Sequence, residues 1–212
     1  SIEAPEKIER LTGFENAILG KDKRSPGFSK AHSMRLSLEE TGVTNQHCIE
    51  LIKAFKQDAS KLRYENWDEL IDYCQMSAAP VGRYLLDLHG ESIKKYQESD
   101  ALCNALQILN HLQDCKDDYV TLNRVYLPLD WMRHNGLEVE CLNALKSGPE
   151  LKSLIHRVLD STVELINLAQ HLPIDLASKR LAMEAGAILN VASRLEKKLR
   201  RKDPLAEAVK LS

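Results

Sequence analysis

The residues best placed to do chemistry lie in the stretch NALQILNHLQDCKDDYV, from Asn104 to Val120. It sets two Asn, two Gln, one His and three Asp among Leu, Ile and Ala. A helix turns by about 100° per residue, so with Gln107 at zero Asn110 falls at about −60°, Asp114 at about −20° and Asp118 at about +20°. Asp117 sits at the margin of the same face, at about −80°. Two carboxylates at i, i+4 repel each other, and a cation between them turns that repulsion into binding. Carboxylate and amide oxygens are hard ligands suited to Mg2+, which keeps several waters and binds through few carboxylates plus substrate phosphates. The face therefore reads as one half of a diphosphate–Mg2+ site. Taken alone, the aspartates fit a solvated helix face with ordinary acids better than a metal site. His111 stands one position off the face and reads as a packing or hydrogen-bonding residue.

Helices must position these groups. Pro5 to Leu19 is periodic and stops at Gly20, and Ala31 to Glu40 stops at Gly42. A polar loop, Lys21 to Gly27, separates them. Thr44 precedes a segment with Ile49, Leu51, Ile52 and Phe55 on one stripe. Asn66-Trp67-Asp68-Glu69 has capping-box spacing and opens a helix to about Leu88, interrupted by Pro80 and Gly82. The next helix is expected from Ser92 to Asp118, followed by an extended RVYLP. Gly148-Pro149 starts a helix to about His171, and the last runs from about Asp175 to Lys202. No period-2 strand pattern or internal repeat appears.

Composition agrees. The chain has 212 residues, 43% hydrophobic and only 5% aromatic, enough for the core of one all-α domain spanning 1–212. A net charge of −2 argues against a general nucleic-acid footprint. The five scattered cysteines show no CxxC pair and fit free thiols in a reducing cytoplasm. No 18-residue apolar run suggests a membrane span. The basic run RLEKKLRRK, Arg194 to Lys202, suits a helix C-terminus in solvent, with contact to anionic lipid at the inner face of the membrane as the alternative. Trp67 and Trp131 read as packing residues, with a membrane-facing mouth as the alternative.

The stretch QILNHLQDCKDDYVTLNRVYLP resembles the second aspartate-rich motif of the squalene/phytoene synthase family, Q-x-x-N-x-x-x-D-x-x-x-D, with its following R-x-Y-L-P. YCQMSAAPVGRYLLDLHGE, Tyr73 to Glu91, is similar to the family's Y-C-x-x-x-A-x-x-V-G helix. The tail RRKDPLAEAVKLS also resembles the family, so the likeness covers essentially the whole chain. The wording AAPVGRYLLDLHGE, NHLQDC and DPLAEAVKLS is most similar to the bacterial branch of hopanoid biosynthesis that turns presqualene diphosphate and water into hydroxysqualene and diphosphate. A sister branch condenses two prenyl diphosphates head to head.

The resemblance implies a class I terpenoid synthase: a helical domain with a central cavity, Mg2+ as cofactor and a prenyl diphosphate or presqualene diphosphate as substrate. It assigns Asp114 and Asp118 to metal binding and catalysis, Asp117 to an acidic position of the motif, and Gln107 and Asn110 to the neighbourhood of the diphosphate. Tyr73 lines the site of cyclopropylcarbinyl chemistry, Ser77 and Gly82 approach the isoprenoid chain, and Arg124 and Tyr126 fall in the flap after the motif. Ionising such a diphosphate leaves a carbocation that needs a dry apolar cavity. Without the resemblance, Pro80-Gly82 reads equally as a packing kink, and Tyr73 reads more readily as a core tyrosine. Two departures stand out. Gln113 occupies a position where many members carry Arg. The family pairs two aspartate-rich motifs on facing helices, yet the first 60 residues hold no D-x-x-x-D, so the expectation is a preceding segment that carries it. A non-catalytic relative acting as a scaffold is the remaining alternative.

Overall fold

The computed structural model describes residues 3–22 and 25–211; Lys23 and Arg24 of the polar loop, with residues 1, 2 and 212, lie outside the described residues. The described residues form α1 (Ala4–Ile18), α2 (Ser29–Thr41), α3 (Gln46–Gln57), α4 (Trp67–Ser77), α5 (Ala79–Leu88), α6 (Tyr96–Gln113), α7 (Cys115–Leu122), α8 (Leu129–His134), α9 (Pro149–Ala169), α10 (Leu172–Asp175) and α11 (Lys179–Arg201), with no strand among them. The ends follow local chemistry. Asn66 Oδ1 accepts the Glu69 N–H at 2.9 Å, as the capping-box spacing predicts. Gly20 and Gly42 close α1 and α2 with φ of +70° and +73°, where a Cβ would strain the backbone.

The central element is α6. It packs against α9, α5, α11 and α4, and its inward side (Ala101, Leu102, Ala105, Ile108, Leu109, Leu112) belongs to the main apolar core. A second, smaller core of Ala17, Ile18, Ala31, Ile49 and Ile52 joins α1, α2 and α3. Trp67 and Trp131 stack at 5.5 Å with the Arg157 guanidinium 3.8 Å over the Trp131 ring, so both are packing residues.

Three boundaries differ from the sequence reading. The helix expected from Asn66 to Leu88 is two helices, broken at Ala78 (φ −126°, ψ −50°). Pro80 has no N–H for the preceding turn, so the chain restarts with Pro80 in the first turn of α5. The helix expected from Ser92 to Asp118 starts at Tyr96 and loosens at Asp114 (φ −101°, ψ 6°) before α7. The Asp118 N–H still donates to the Asp114 carbonyl at 2.8 Å, so the phase of the acidic face survives. The last helix begins at Lys179, where the Ser178 hydroxyl accepts the Leu181 N–H, after the separate turn of α10. RVYLP is extended, as expected, and docks on the segment after α3 through Val125 N–H to the Leu62 carbonyl and Leu129 N–H to the Tyr64 carbonyl, both 3.0 Å.

Gly82 lets α5 lie directly on α6: a Cβ there would overlap Ser99 Oγ and stand 2.8 Å from Cys103 Sγ. Gly82→Ala is therefore expected to destabilise the fold by about 1–3 kcal/mol through overpacking, despite its gain in helix propensity. Urea unfolding checks this; a midpoint equal to or above that of the unsubstituted protein would show that α5 and α6 can separate without cost.

Candidate functional site

α6 carries one partly open stripe along its length. From its C-terminal end it runs Asp114, Asn110, Gln107, Leu106, Cys103. Asn110 and Asp114 are exposed, Gln107 half-buried, and on α7 Asp117 is exposed and Asp118 half-buried. The acidic face is thus open in the described structure rather than enclosed. The cavity beside this stripe lies further along, where Gly82, Leu85, Cys103, Leu106, Leu181 and Ile188 line a space of about 180 Å³. Asp114 and Cys103 are eleven residues apart, about 16 Å at 1.5 Å per residue. Acid and amide oxygens at one end and hydrocarbon at the other match an amphiphile with an anionic head and a long apolar tail.

Behind the acidic end sits a stack of aromatic rings. Tyr73 of α4 is buried 5.1 Å from Tyr64 and 6.1 Å from both Tyr126 and His111, measured between ring centroids. His111 stacks on Tyr126 at 3.5 Å and shares a 3.3 Å contact with the Gln107 amide. Burial, reinforced by the nearby Arg124 cation, pushes the His111 imidazole down to about 3, so it stays neutral. This fits its reading as a packing and hydrogen-bonding residue. Arg124 donates to the Tyr126 hydroxyl at 3.3 Å and to the Asp58 carbonyl at 2.8 Å, and pairs with the Asp58 carboxylate at 3.7 Å.

The titrating groups agree with a site that wants a cation. Burial first, and then the neighbouring Asp114 charge, raise the Asp118 carboxyl, with Arg124 opposing. Burial, with Asp58 and Tyr126, holds the Tyr73 phenol far above its ordinary range, so it acts as a neutral dipole. Asp58 is raised by burial and lowered by Arg124, and its Oδ1 is buried without a hydrogen-bond partner.

The structure thus brings together Tyr73, Gln107, Arg124 and Tyr126, with Asp118 beside Arg124 and Asp114 and Asn110 at the open edge. Asp117 is exposed on α7, and its charge acts on Asp118. Gly82 belongs to the apolar end. Ser77, at the C-terminus of α4, has a buried hydroxyl with no partner. Gln113 turns away from the acidic face and donates to the Val209 carbonyl, tying α6 to the C-terminal tail. Sequence reading missed Asp58 and Tyr64. Asp58 follows the last turn of α3, where a lone acid carries no periodic signal, and only the fold sets it against Arg124.

No group of three His, Cys, Asp or Glu side chains able to hold a metal ion occurs among the described residues. The two carboxylates and two amides suit Mg2+ as part of a shell completed by diphosphate and water oxygens.

The fold belongs to the helical isoprenoid synthases. It superposes on a squalene synthase from Alicyclobacillus acidocaldarius with a TM-score of 0.78 at 27% identity, covering 90% of this chain and 72% of that one. A dehydrosqualene synthase solved with a ligand matches at a TM-score of 0.75 and 19% identity, over 92% and 68% of the two chains, which supports the fold alone. Residues 5–212 match the squalene/phytoene synthase family model, and the chain belongs to that family. Among curated relatives, the hydroxysqualene synthase of Rhodopseudomonas palustris is 44% identical over 97% of this chain and 69% of its own length. That of Zymomonas mobilis is 36% identical over 96% and 68%. A phytoene synthase from Thermus thermophilus is 30% identical over 71% and 51%.

Proposed function

We propose that this protein acts on presqualene diphosphate with Mg2+ and water to give hydroxysqualene and diphosphate, in the cytoplasm. The observation that carries the reading is the polarity of the α6 stripe, acidic at Asp114 and Asp118 and apolar beside Gly82; the identity to hydroxysqualene synthases selects the branch. Asp114 and Asp118 would hold Mg2+, which neutralises charge developing on the leaving diphosphate. Gln107 and Asn110 orient the head group, with Asp117 at the edge of the shell. Arg124 lends positive charge from behind and fixes the Tyr126 hydroxyl. The neutral Tyr73 offers a ring face and hydroxyl dipole to the carbocation. Gly82, by letting α5 close on α6, shapes the apolar end of the cavity, and Ser77 would meet the tail from α4, where hydrocarbon walls keep water away. In the balanced step the C–O bond breaks with its electron pair to the diphosphate oxygen, the cyclopropylcarbinyl cation rearranges as one ring carbon–carbon bond forms and others break to open the three-membered ring into an allylic cation, the water oxygen bonds to that cationic carbon, and one proton is lost.

Feeding presqualene diphosphate and farnesyl diphosphate separately, with Mg2+, and identifying products by mass tests this. Hydroxysqualene from presqualene diphosphate, carrying 18O when made in labelled water, is the expected result. Condensation of farnesyl diphosphate without hydroxysqualene formation would place the protein in the condensing branch. No turnover of either substrate by folded protein would favour a scaffold.

A further inference from the structure

The turn between α7 and RVYLP is held by a side chain that takes no part in the site itself, Arg63. α7 carries Asp118 and ends at Leu122. Asn123 then takes φ of 53° and ψ of 37°, and it is the one left-handed residue other than glycine among the described residues. A residue with a Cβ enters that region at a cost and persists there where its surroundings fix it. Main-chain bonds close the turn: the Asn123 N–H donates to the Tyr119 carbonyl at 3.0 Å and the Arg124 N–H to the Asp118 carbonyl at 3.1 Å. Arg124 therefore hangs on the backbone of Asp118, and the handedness of Asn123 sets the direction in which RVYLP leaves α7.

Arg63 grips Asn123 twice. Its Nη1 donates to the Asn123 carbonyl and its Nη2 to Asn123 Oδ1 at 2.7 Å, while Nη1 also donates to the Leu62 carbonyl at 2.9 Å. One planar fork thus holds the main chain and the side chain of a single residue, which a lysine cannot do. The Leu62 carbonyl also accepts the Val125 N–H at 3.0 Å, so the segment after α3 fixes the residues on both sides of Arg124. The neighbours Lys61 and Glu65 pair with Glu69 and Arg133, whereas the polar contacts of Arg63 go to Leu62 and Asn123. Beyond the turn the Arg124 guanidinium reaches the Tyr126 hydroxyl and the Asp58 carbonyl. A cation at the end of a short helix is ordinarily a solvated cap. Here, however, the two ends of the turn are Asp118 and Arg124. Given the reaction proposed above, on which this reading rests, we infer that Arg63 is a positioning residue: its fork holds Asn123 left-handed and so fixes Arg124 against Asp118. Without the fork Asn123 relaxes out of the left-handed region, the Arg124–Asp118 main-chain bond opens, and the guanidinium turns off Tyr126.

Steady-state kinetics and amide exchange on the full chain test this together. Arg63→Met keeps the stem and removes the fork; it should lower kcat by about ten-fold to about 100-fold with little change in KM, because the displaced groups act on charge that develops in the transition state. Arg63→Lys keeps the charge and should lose as much. Asn123→Gly takes the left-handed turn unaided, so adding it to Arg63→Met should restore most of kcat, whereas Asn123→Val should lose activity with Arg63 in place. Amide exchange over residues 119–126 in metal-free protein needs no turnover; it should be about ten-fold faster in Arg63→Met and return to normal in the double variant. Circular dichroism checks that each variant is folded, and Arg63→Lys and Asn123→Val carry the test if Arg63→Met is not. Absence of turnover by the unsubstituted protein would overturn the proposed reaction and leave exchange to decide whether the clamp exists. Full activity in Arg63→Lys, Arg63→Met or Asn123→Val, unchanged exchange in Arg63→Met, or no recovery in the double variant would overturn the role of Arg63.

Discussion

Asp114→Asn is expected to lower turnover at least about 100-fold while leaving the fold intact, because it removes an anionic oxygen worth several kcal/mol of leaving-group stabilisation and Asp114 is exposed. Asp118→Asn should lose as much activity, yet its effect on stability differs in sign from that of an ordinary buried change. Asp118 is raised by burial and by Asp114, so in metal-free protein the substitution relieves repulsion. Thermal unfolding without Mg2+ should therefore show Asp118→Asn at or above the midpoint of the unsubstituted protein, with diphosphate release nearly abolished. A variant that keeps its turnover would remove Asp118 from the metal shell.

Acid should unfold the protein in a window set by His111. Its imidazole falls from an ordinary 6.5 to about 3 in the fold, so the unfolded chain binds a proton that the native state refuses. Stability from this group is present above about pH 6.5 and is lost as pH falls towards 3, up to ~5 kcal/mol at one pKa unit per 1.4 kcal/mol. The raised Asp58 and Asp118 carboxyls act in the opposite sense below neutrality and offset part of the loss. His111→Phe keeps a ring against Tyr126 and removes the titration. Urea midpoints between pH 7 and 4.5 should fall steeply for the unsubstituted protein and less for His111→Phe; parallel slopes would show that His111 is not the group responsible.

These expectations rest on features of unequal legibility in the sequence. Periodicity located the helices, and glycine and capping residues located several ends, because those signals are local. The acidic face was readable from i, i+4 spacing, and the main-chain bond across Asp114 preserves that phase even though the helix loosens there. The break at Ala78 was only half visible: Pro80 announced an interruption, but whether the helix bends or restarts depends on packing of α5 against α6. Asp58 and Tyr64 were invisible, since their place behind the site comes from docking of RVYLP onto the segment after α3. The openness of the acidic face was equally beyond a reading of one helix, because it depends on what packs opposite. The basic run ending α11 read as a helix end in solvent, with contact to anionic lipid as the alternative, and only the fold ties its neighbour Asp203 to Ser147 ahead of α9.

The central claim is that one amphiphile lies along α6, head at Asp114 and Asp118 and tail beside Gly82. The most direct measurement is a crystal structure of the protein with Mg2+ and a non-ionising thiolo analogue of presqualene diphosphate. The account predicts Mg2+ bridging the diphosphate to Asp114 and Asp118, with Gln107 and Asn110 alongside and an isoprenoid chain running past Leu106 to Cys103. A diphosphate bound elsewhere, or a tail directed away from the Gly82 cavity, would contradict it.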